Sequence, residues 1–272
     1  MKQIFYIKAE QDAEAVQKGL LVIAGLKYCS FAILNNVTNE LLEFGYYIMP
    51  GEQETINALF DLHPELKEPF FYSVVAYDIP KMQFIPSEYY QYEDAKLHLE
   101  TIYGFEKDEM IISEQLPEKK MFGIYRLPAG LHDELRKNLP GGKFWHLNSV
   151  QMKSNSFTED VISIDFKPDD FSIIVFKAGK LQLTNTIPYT TPEDVVYHLL
   201  NICQQLLLPQ QTTQIILSGL IEKDSAIYRE LYKYFIRLEF ASLGDKFKIG
   251  EVFKEHPEQY FTTISKLSQC VS

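Results

Sequence analysis

The feature that most constrains this chain is an internal repeat. Residues 20–62 read as strand, tight turn, strand, turn, strand and helix, and residues 161–208 read the same way. The first copy opens LLVIAGLKYCSFAIL and the second VISIDFKPDDFSIIVF. A constant shift of 142 residues lays Leu20 on Ile162, Val22 on Ile164, Phe31 on Ile173 and Ile33 on Val175. Recurrence at a fixed offset fixes architecture before any single motif does, because each copy carries the same faces to bury.

The spacing of apolar residues sets the elements inside each copy. After a strand over 3–9, the first copy predicts strands over 19–25, 28–34 and 41–48, a helix over 52–62 and a strand over 70–77. Asn35-Asn36 with Thr38-Asn39 supplies turn chemistry between the second and third strands, and Pro50-Gly51 ends the third. The second copy predicts strands over 161–165, 171–177 and 181–187, joined by a tight turn at Ala178-Gly179-Lys180. Thr191-Pro192-Glu193-Asp194 is a helix start, with Thr as N-cap, Pro in the first turn and an acid at the third position. A strand over 213–218, a helix over 224–235 and a strand over 236–240 follow. Between the copies lie an extended piece at 82–85, helices over 93–103 and 128–138, strands over 109–113, 120–126 and 143–147, and a linker at 153–156.

Each copy is therefore β-β-β-α-β. A right-handed crossover helix returns its last strand parallel to the first. The expected fold is α/β: two lobes, each a mixed sheet with packed helices, the first over 1–150 and the second over 157–272. At 272 residues the length suits two domains of ordinary size, with little left for additional subdomains.

Charge narrows the function. The net charge of −11 argues against coating nucleic acid or an anionic membrane, since phosphate binding needs a basic surface. The one basic-leaning stretch, with Lys119, Lys120, Arg126, Arg136, Lys137 and Lys143, is interrupted by acids and reads as a solvated face. Cys29, Cys203 and Cys270 are too widely spaced for a zinc site or a disulfide framework, and the first two sit in apolar runs as small hydrophobes. No apolar run approaches the ~20 residues needed to span a bilayer, and no leader precedes the acidic N-terminal stretch, so no membrane insertion and a cytoplasmic address are expected.

The duplicated β-β-β-α-β pattern resembles the actin, Hsp70 and sugar-kinase ATPase superfamily, which is ribonuclease H-like. The run VISIDFKPDDFSIIVFKAGKLQLTNTIPYTTPEDVVYHLL, followed by IILSGLIEKDSAIYRELYKYF, resembles an uncharacterised bacterial family with an actin-like ATPase fold. Pilus-assembly PilM-like proteins are more distant relatives. The resemblance covers most of the chain and is strongest over 161–240.

That resemblance implies a phosphate loop in the first hairpin of each half, reading Asp-x-Gly. The glycine lets backbone N–H groups approach phosphate, and the acid organises a metal ion or its waters. Neither hairpin has both. The second has Asp165, but Lys167 in the glycine slot; the first has Gly25, but Ile23 in the acid slot. The turns beyond lack Gly, Ser and Thr, and Pro168 has no N–H to donate. An adenosine-binding strand would end in a glycine pair, whereas Ser218-Gly219-Leu220 offers one. If nucleotide binding were retained with ATP and magnesium, Gly25, Asp165, Lys167 and Gly219 would carry it.

Other candidates are weaker. Asp169-Asp170 reads as solvated turn acids, and Gly141-Gly142-Lys143 as a turn before a strand. The six histidines show no ligand spacing, and His198 reads as an edge residue on a helix. Tyr89-Tyr90-Gln91-Tyr92 reads as packing beneath the cleft between lobes rather than as an exposed patch. The function expected is a non-enzymatic binding or scaffold module without a cofactor, acting on a protein partner. The alternatives are an ATPase with atypical loops and a self-associating structural protein.

Overall fold

Runs of β-branched and aromatic residues cut by short turns build the first sheet. The computed structural model describes residues 1–10, 17–49, 55–107, 109–154 and 157–270. β1 (Lys2–Lys8), β2 (Lys18–Gly25), β3 (Tyr28–Asn35) and β4 (Glu40–Ile48) precede a short helix, α1 (Asn57–Leu62), and β5 (Tyr72–Asp78). Then come β6 (Met82–Pro86), α2 (Ala95–Tyr103), β7 (Glu109–Leu116), β8 (Met121–Pro128), α3 (Ala129–Asn138), β9 (Lys143–His146) and α4 (Leu147–Ser154). The main sheet runs β1-β4-β3-β2-β5-β9, with β5 parallel to β2 and β9 parallel to β5. Leu20, Val22, Phe31 and Val75 pack from it against Leu59, Phe60 and Leu135 of the helices.

The second half repeats this plan. β10 (Val161–Phe166), β11 (Asp170–Lys177), β12 (Lys180–Pro188), α5 (Pro192–Leu206), β13 (Gln214–Gly219), α6 (Ala226–Leu231) and β14 (Leu238–Phe240) form a sheet ordered β12-β11-β10-β13-β14. The predicted capping box at Thr191 is present: Asp194 N donates to Thr191 Oγ1 at 3.3 Å, and Thr191 N donates to Asp194 Oδ2 at 2.8 Å. α5 then lays Val195, Val196, Leu199 and Cys203 on the sheet. The β11–β12 turn uses positive φ at Ala178 and Gly179, the geometry that matches the twist of a two-residue hairpin.

The repeat holds to the residue in strand register. Gly19 pairs with Tyr72 in the parallel β2–β5 ladder, and Val161 pairs with Gln214 in β10–β13, both partners displaced by the same 142 positions.

After β14 the chain forms β15 (Lys248–Ile249), which runs parallel to β4 beyond the end of β1, and α7 (Thr262–Ser268). Internal contacts divide the chain into two compact units: residues 1–154 with 245–255 and 266–272, and residues 155–244 with 256–265. Among the described residues, no helix is long and apolar enough to cross a membrane.

Several elements differ from what the sequence predicts. Residues 82–128 form a separate antiparallel sheet, β6-β8-β7, with Ile85, Leu99 and Ile124 in a small core under α2, a pairing that the sequence does not predict. The expected linker includes Lys153 and Ser154, which end α4; Asn155 and Ser156 lie outside the described residues, as do the first three residues of the helix expected over 52–62. The helix expected over 224–235 is only α6, capped by Ser225, whose Oγ accepts Tyr228 N–H at 3.1 Å. Tyr89 and Tyr92 are exposed, and of that cluster only Tyr90 packs, stacked on Phe122 at 3.9 Å. Arg126, expected on a solvated face, is buried with its guanidinium 3.8 Å from Glu109. The three cysteines are buried and none forms a disulfide, and burial pushes the Cys203 thiol up to about 11.

Glu114 is the most demanding buried group. Its Oε1 accepts Tyr125 O–H at 2.6 Å and His146 N–H at 2.7 Å. His146 Nε2 faces the Ile79 carbonyl at 2.9 Å, so that nitrogen carries the proton and Nδ1 accepts Asn148 N–H at 3.1 Å. Burial raises the Glu114 pKa above the ordinary carboxylate range, outweighing the hydrogen bonds that lower it. A folded-state pKa above the unfolded value means the folded state binds the extra proton. The stability this contributes is full below the unfolded pKa and is lost as pH rises through the folded one. Glu114→Gln should therefore flatten the pH dependence and gain on the wild type as pH rises from 5 to 8, read as urea midpoints. Parallel profiles would refute this.

Candidate functional site

The two β-hairpins at the carboxyl ends of the parallel strands are where an actin-like phosphate loop would sit. In the second unit, Asp165 lies on β10, buried, with Oδ1 accepting Ser218 O–H at 2.7 Å and Thr263 O–H at 2.9 Å. Ser218 is its register partner on β13, so a strand pair delivers that hydroxyl without any loop. The second hydroxyl comes from α7.

Lys167 turns inward at the hairpin and is 4 % exposed. Its Nζ donates to Ser172 Oγ at 2.7 Å and lies 3.2 Å from Asp170 Oδ1. Its backbone is engaged as well: its N–H donates to Asp170 O at 2.9 Å, and its carbonyl accepts Tyr189 O–H at 3.0 Å. Burial, with Asp170 and Asp169 nearby, raises the pKa of that tyrosine. Thus Asp170 neutralises a buried lysine, rather than being the solvated turn acid expected.

Gly219 ends β13 opposite Phe166, with φ at +76°. A Cβ there would sit 2.2 Å from the Phe166 carbonyl oxygen, and that oxygen already accepts Leu220 N–H at 2.8 Å. The glycine thus has a backbone task of its own.

In the first unit, Gly25 pairs in register with Asp78. Tyr28 covers this end of β2: its hydroxyl donates to Asp78 Oδ2 at 2.5 Å, and its ring stacks on Tyr46 at 5.2 Å. A Cβ on Gly25 would lie 2.8 Å from the Tyr28 ring, so the absent side chain makes room for that ring. Ile23 is buried on β2 opposite Ser30. Asp165, Lys167 and Gly219 are thus gathered at one end of the second sheet, while Gly25 belongs to the first unit. Sequence reasoning missed Tyr28 and Asp78, whose one signal is that each adds a polar group at the end of an apolar strand. It also missed Thr263, which carries no local signal.

A family model described as a protein of unknown function (DUF3822) matches residues 9–238. A Bacteroides thetaiotaomicron VPI-5482 protein with an actin-like ATPase fold and unknown function superposes with a TM-score of 0.73 at 17% identity, covering 93% of this chain and 96% of that one. The PilM-PilN type IV pilus biogenesis complex gives 0.59 at 11% identity, covering 93% and 98%. The cytoplasmic domain of EpsL, an inner membrane component of the type II secretion system of Vibrio cholerae, gives 0.51 at 10% identity, covering 93% of each. No curated protein matches the chain. At these identities the likeness shows the fold alone, and that fold is the actin-like ATPase fold.

Proposed function

Because the chain belongs to DUF3822, a family of unknown function, its role rests on its own residues, and we propose that it is a non-catalytic binding or scaffold module on an actin-like ATPase fold. The observation that carries this is that each hairpin mouth is filled by its own side chains. Lys167, Asp170 and Ser172 occupy the second, and Tyr28 with Asp78 the first. A phosphate cradle needs free backbone N–H groups in a concave turn. Here Lys167 N–H is spent on Asp170 O, and Pro168 has none to offer.

The ligand in this reading is a protein. The outer edge of β12 carries no strand among the described residues, whereas the corresponding strand of the first unit, β4, is covered by β1. An uncovered edge offers backbone groups that pair with an added strand. The likeness to PilM, solved in a complex with PilN, supports a protein partner by analogy of fold. The same edge supports pairing with a second copy as the alternative. A cytoplasmic address goes with this reading, supported by three cysteines that form no disulfide.

Thermal melts with MgATP, MgADP and MgGTP test it. The expected result is no change in midpoint and no phosphate release. A ligand at 100 times its Kd would add about 2.7 kcal/mol of stability, a shift of several degrees that such melts resolve. A saturable shift with MgATP would overturn the proposal.

A further inference from the structure

The first unit carries a second polar constellation, at the other end of the sheet from its hairpin. Lys18 opens β2, and Phe71 precedes β5, whereas Gly25 and Asp78 close those strands. A cavity of about 400 Å³ lies there, lined by Lys8, Lys18, Ile33, Glu43, Glu65 and Phe70 among others. Glu43 sits within β4 and is 4 % exposed. Its Oε1 accepts Tyr6 O–H at 2.6 Å, and its Oε2 lies 3.0 Å from Lys8 Nζ. His63, at the end of α1, packs its ring against Phe31 at 4.8 Å and Tyr6 at 5.1 Å. Its Nε2 is 2.6 Å from the Tyr47 hydroxyl, and its Nδ1 is 2.9 Å from Glu65 Oε1.

Taken singly, these contacts are an ion pair and a helix-end contact. Together they place one donor atom each from Glu43, His63 and Glu65 within 4.8 Å of one another. Two carboxylates converging on an imidazole repel unless a cation stands between them, and Lys8 approaches Glu43 alone at bonding distance. One imidazole nitrogen and two carboxylate oxygens are donors suited to zinc, cobalt or nickel rather than to calcium or magnesium, which favour oxygen alone. The surroundings also match what orients metal ligands: Tyr47 on the far ring nitrogen of His63 and Tyr6 on Glu43.

We propose that Glu43, His63 and Glu65 form a site for a divalent transition-metal ion of the zinc type, with a fourth position open to the cavity. The ion replaces the proton between His63 Nδ1 and Glu65 Oε1, and Nε2–H then donates to the Tyr47 oxygen. The three donor atoms, now within 4.8 Å of one another, must settle about 3.3 Å apart, the spacing set by metal–ligand bonds of about 2.0–2.2 Å in a tetrahedron, so the 2.9 Å pair of His63 Nδ1 and Glu65 Oε1 opens slightly as Glu43 and Glu65 draw together. Glu65 can make that move, since its side chain is 38% exposed.

The test titrates the whole chain with Co²⁺, followed by visible absorption, and with Zn²⁺, followed by calorimetry. One equivalent should bind, with the intense visible bands of a tetrahedral Co²⁺ site. Glu65→Gln and His63→Gln should each weaken binding by about 10-fold or more, with folding checked by circular dichroism. Lys8→Met should bind at least as tightly as wild type, because it removes a competing cation. If the wild type binds no stoichiometric metal, or if Glu65→Gln binds as tightly as wild type while folded, the site does not exist.

Discussion

Gly219→Ala should be among the most damaging single-atom changes in the second unit, with a loss of about 3–5 kcal/mol. Two independent penalties add. A side chain at φ +76° is strained by about 1–3 kcal/mol. The new Cβ would also stand 2.2 Å from the Phe166 oxygen and 2.8 Å from its nitrogen, both backbone atoms of a central strand. Relief requires β10 and β13 to part where Leu220 N–H bonds Phe166 O. The entropy alanine removes from the unfolded chain offsets only about 0.4–1 kcal/mol of this. Urea denaturation should show the loss, with hydrogen exchange rising first in β10 and β13. Gly130→Ala is the control, since nothing lies within 4 Å of its added Cβ and alanine suits the start of α3. A Gly219→Ala chain as stable as the control would mean the β13 terminus can relax, and its glycine would need another explanation.

The same glycine shows how far the sequence could be read. Its place at a strand end was legible, and the superfamily resemblance assigned it to adenosine. The backbone approach that demands glycine was not legible, because it depends on β10, more than fifty residues away. Local features came through well: the Thr191 capping box, the Ala178-Gly179 turn and the constant offset between the copies all rest on residues within a few positions of each other. What failed was nonlocal or lacked a stripe. α4 is buried on nearly every side, so LNSVQMKS shows no amphipathic period to find. The strands at 82–86, 109–116 and 121–128 were recognisable one by one, yet their closure into a separate sheet is a matter of pairing partners. Glu43 reads as a stray acid in an aromatic strand, and only folding sets it beside His63 and Glu65.

Asp165→Ala is expected to cost about 2–4 kcal/mol and to leave the response to nucleotides unchanged. The magnitude follows from what the carboxylate holds. Ser218 and Thr263 both donate to Oδ1, and both are buried, so truncation strands two hydroxyls at about 1–3 kcal/mol each. Ser218 Oγ has the Ile164 carbonyl at 3.0 Å as a fallback acceptor, which keeps the sum below the upper limit. Asp165→Asn retains an acceptor oxygen and should lose about half as much. The location of the damage is the sharper readout. Thr263 belongs to residues 256–265, which are seated on the second unit by Gln259 Nε2 on the Ile221 carbonyl at 2.7 Å, Tyr260 O–H on Glu222 at 2.5 Å and Gly244 N–H on Ser265 Oγ at 3.0 Å. Loosening one tie should raise hydrogen exchange across 256–265 before it rises in α5. A metal-organising acid would behave in the opposite way: its removal would relieve crowded negative charge around an empty site, leave 256–265 unchanged and abolish a MgATP-dependent shift. In this protein the acid that an actin-like loop would aim at a cation is turned onto two hydroxyls. The stability map of Asp165→Ala should therefore trace the C-terminal segment rather than a nucleotide.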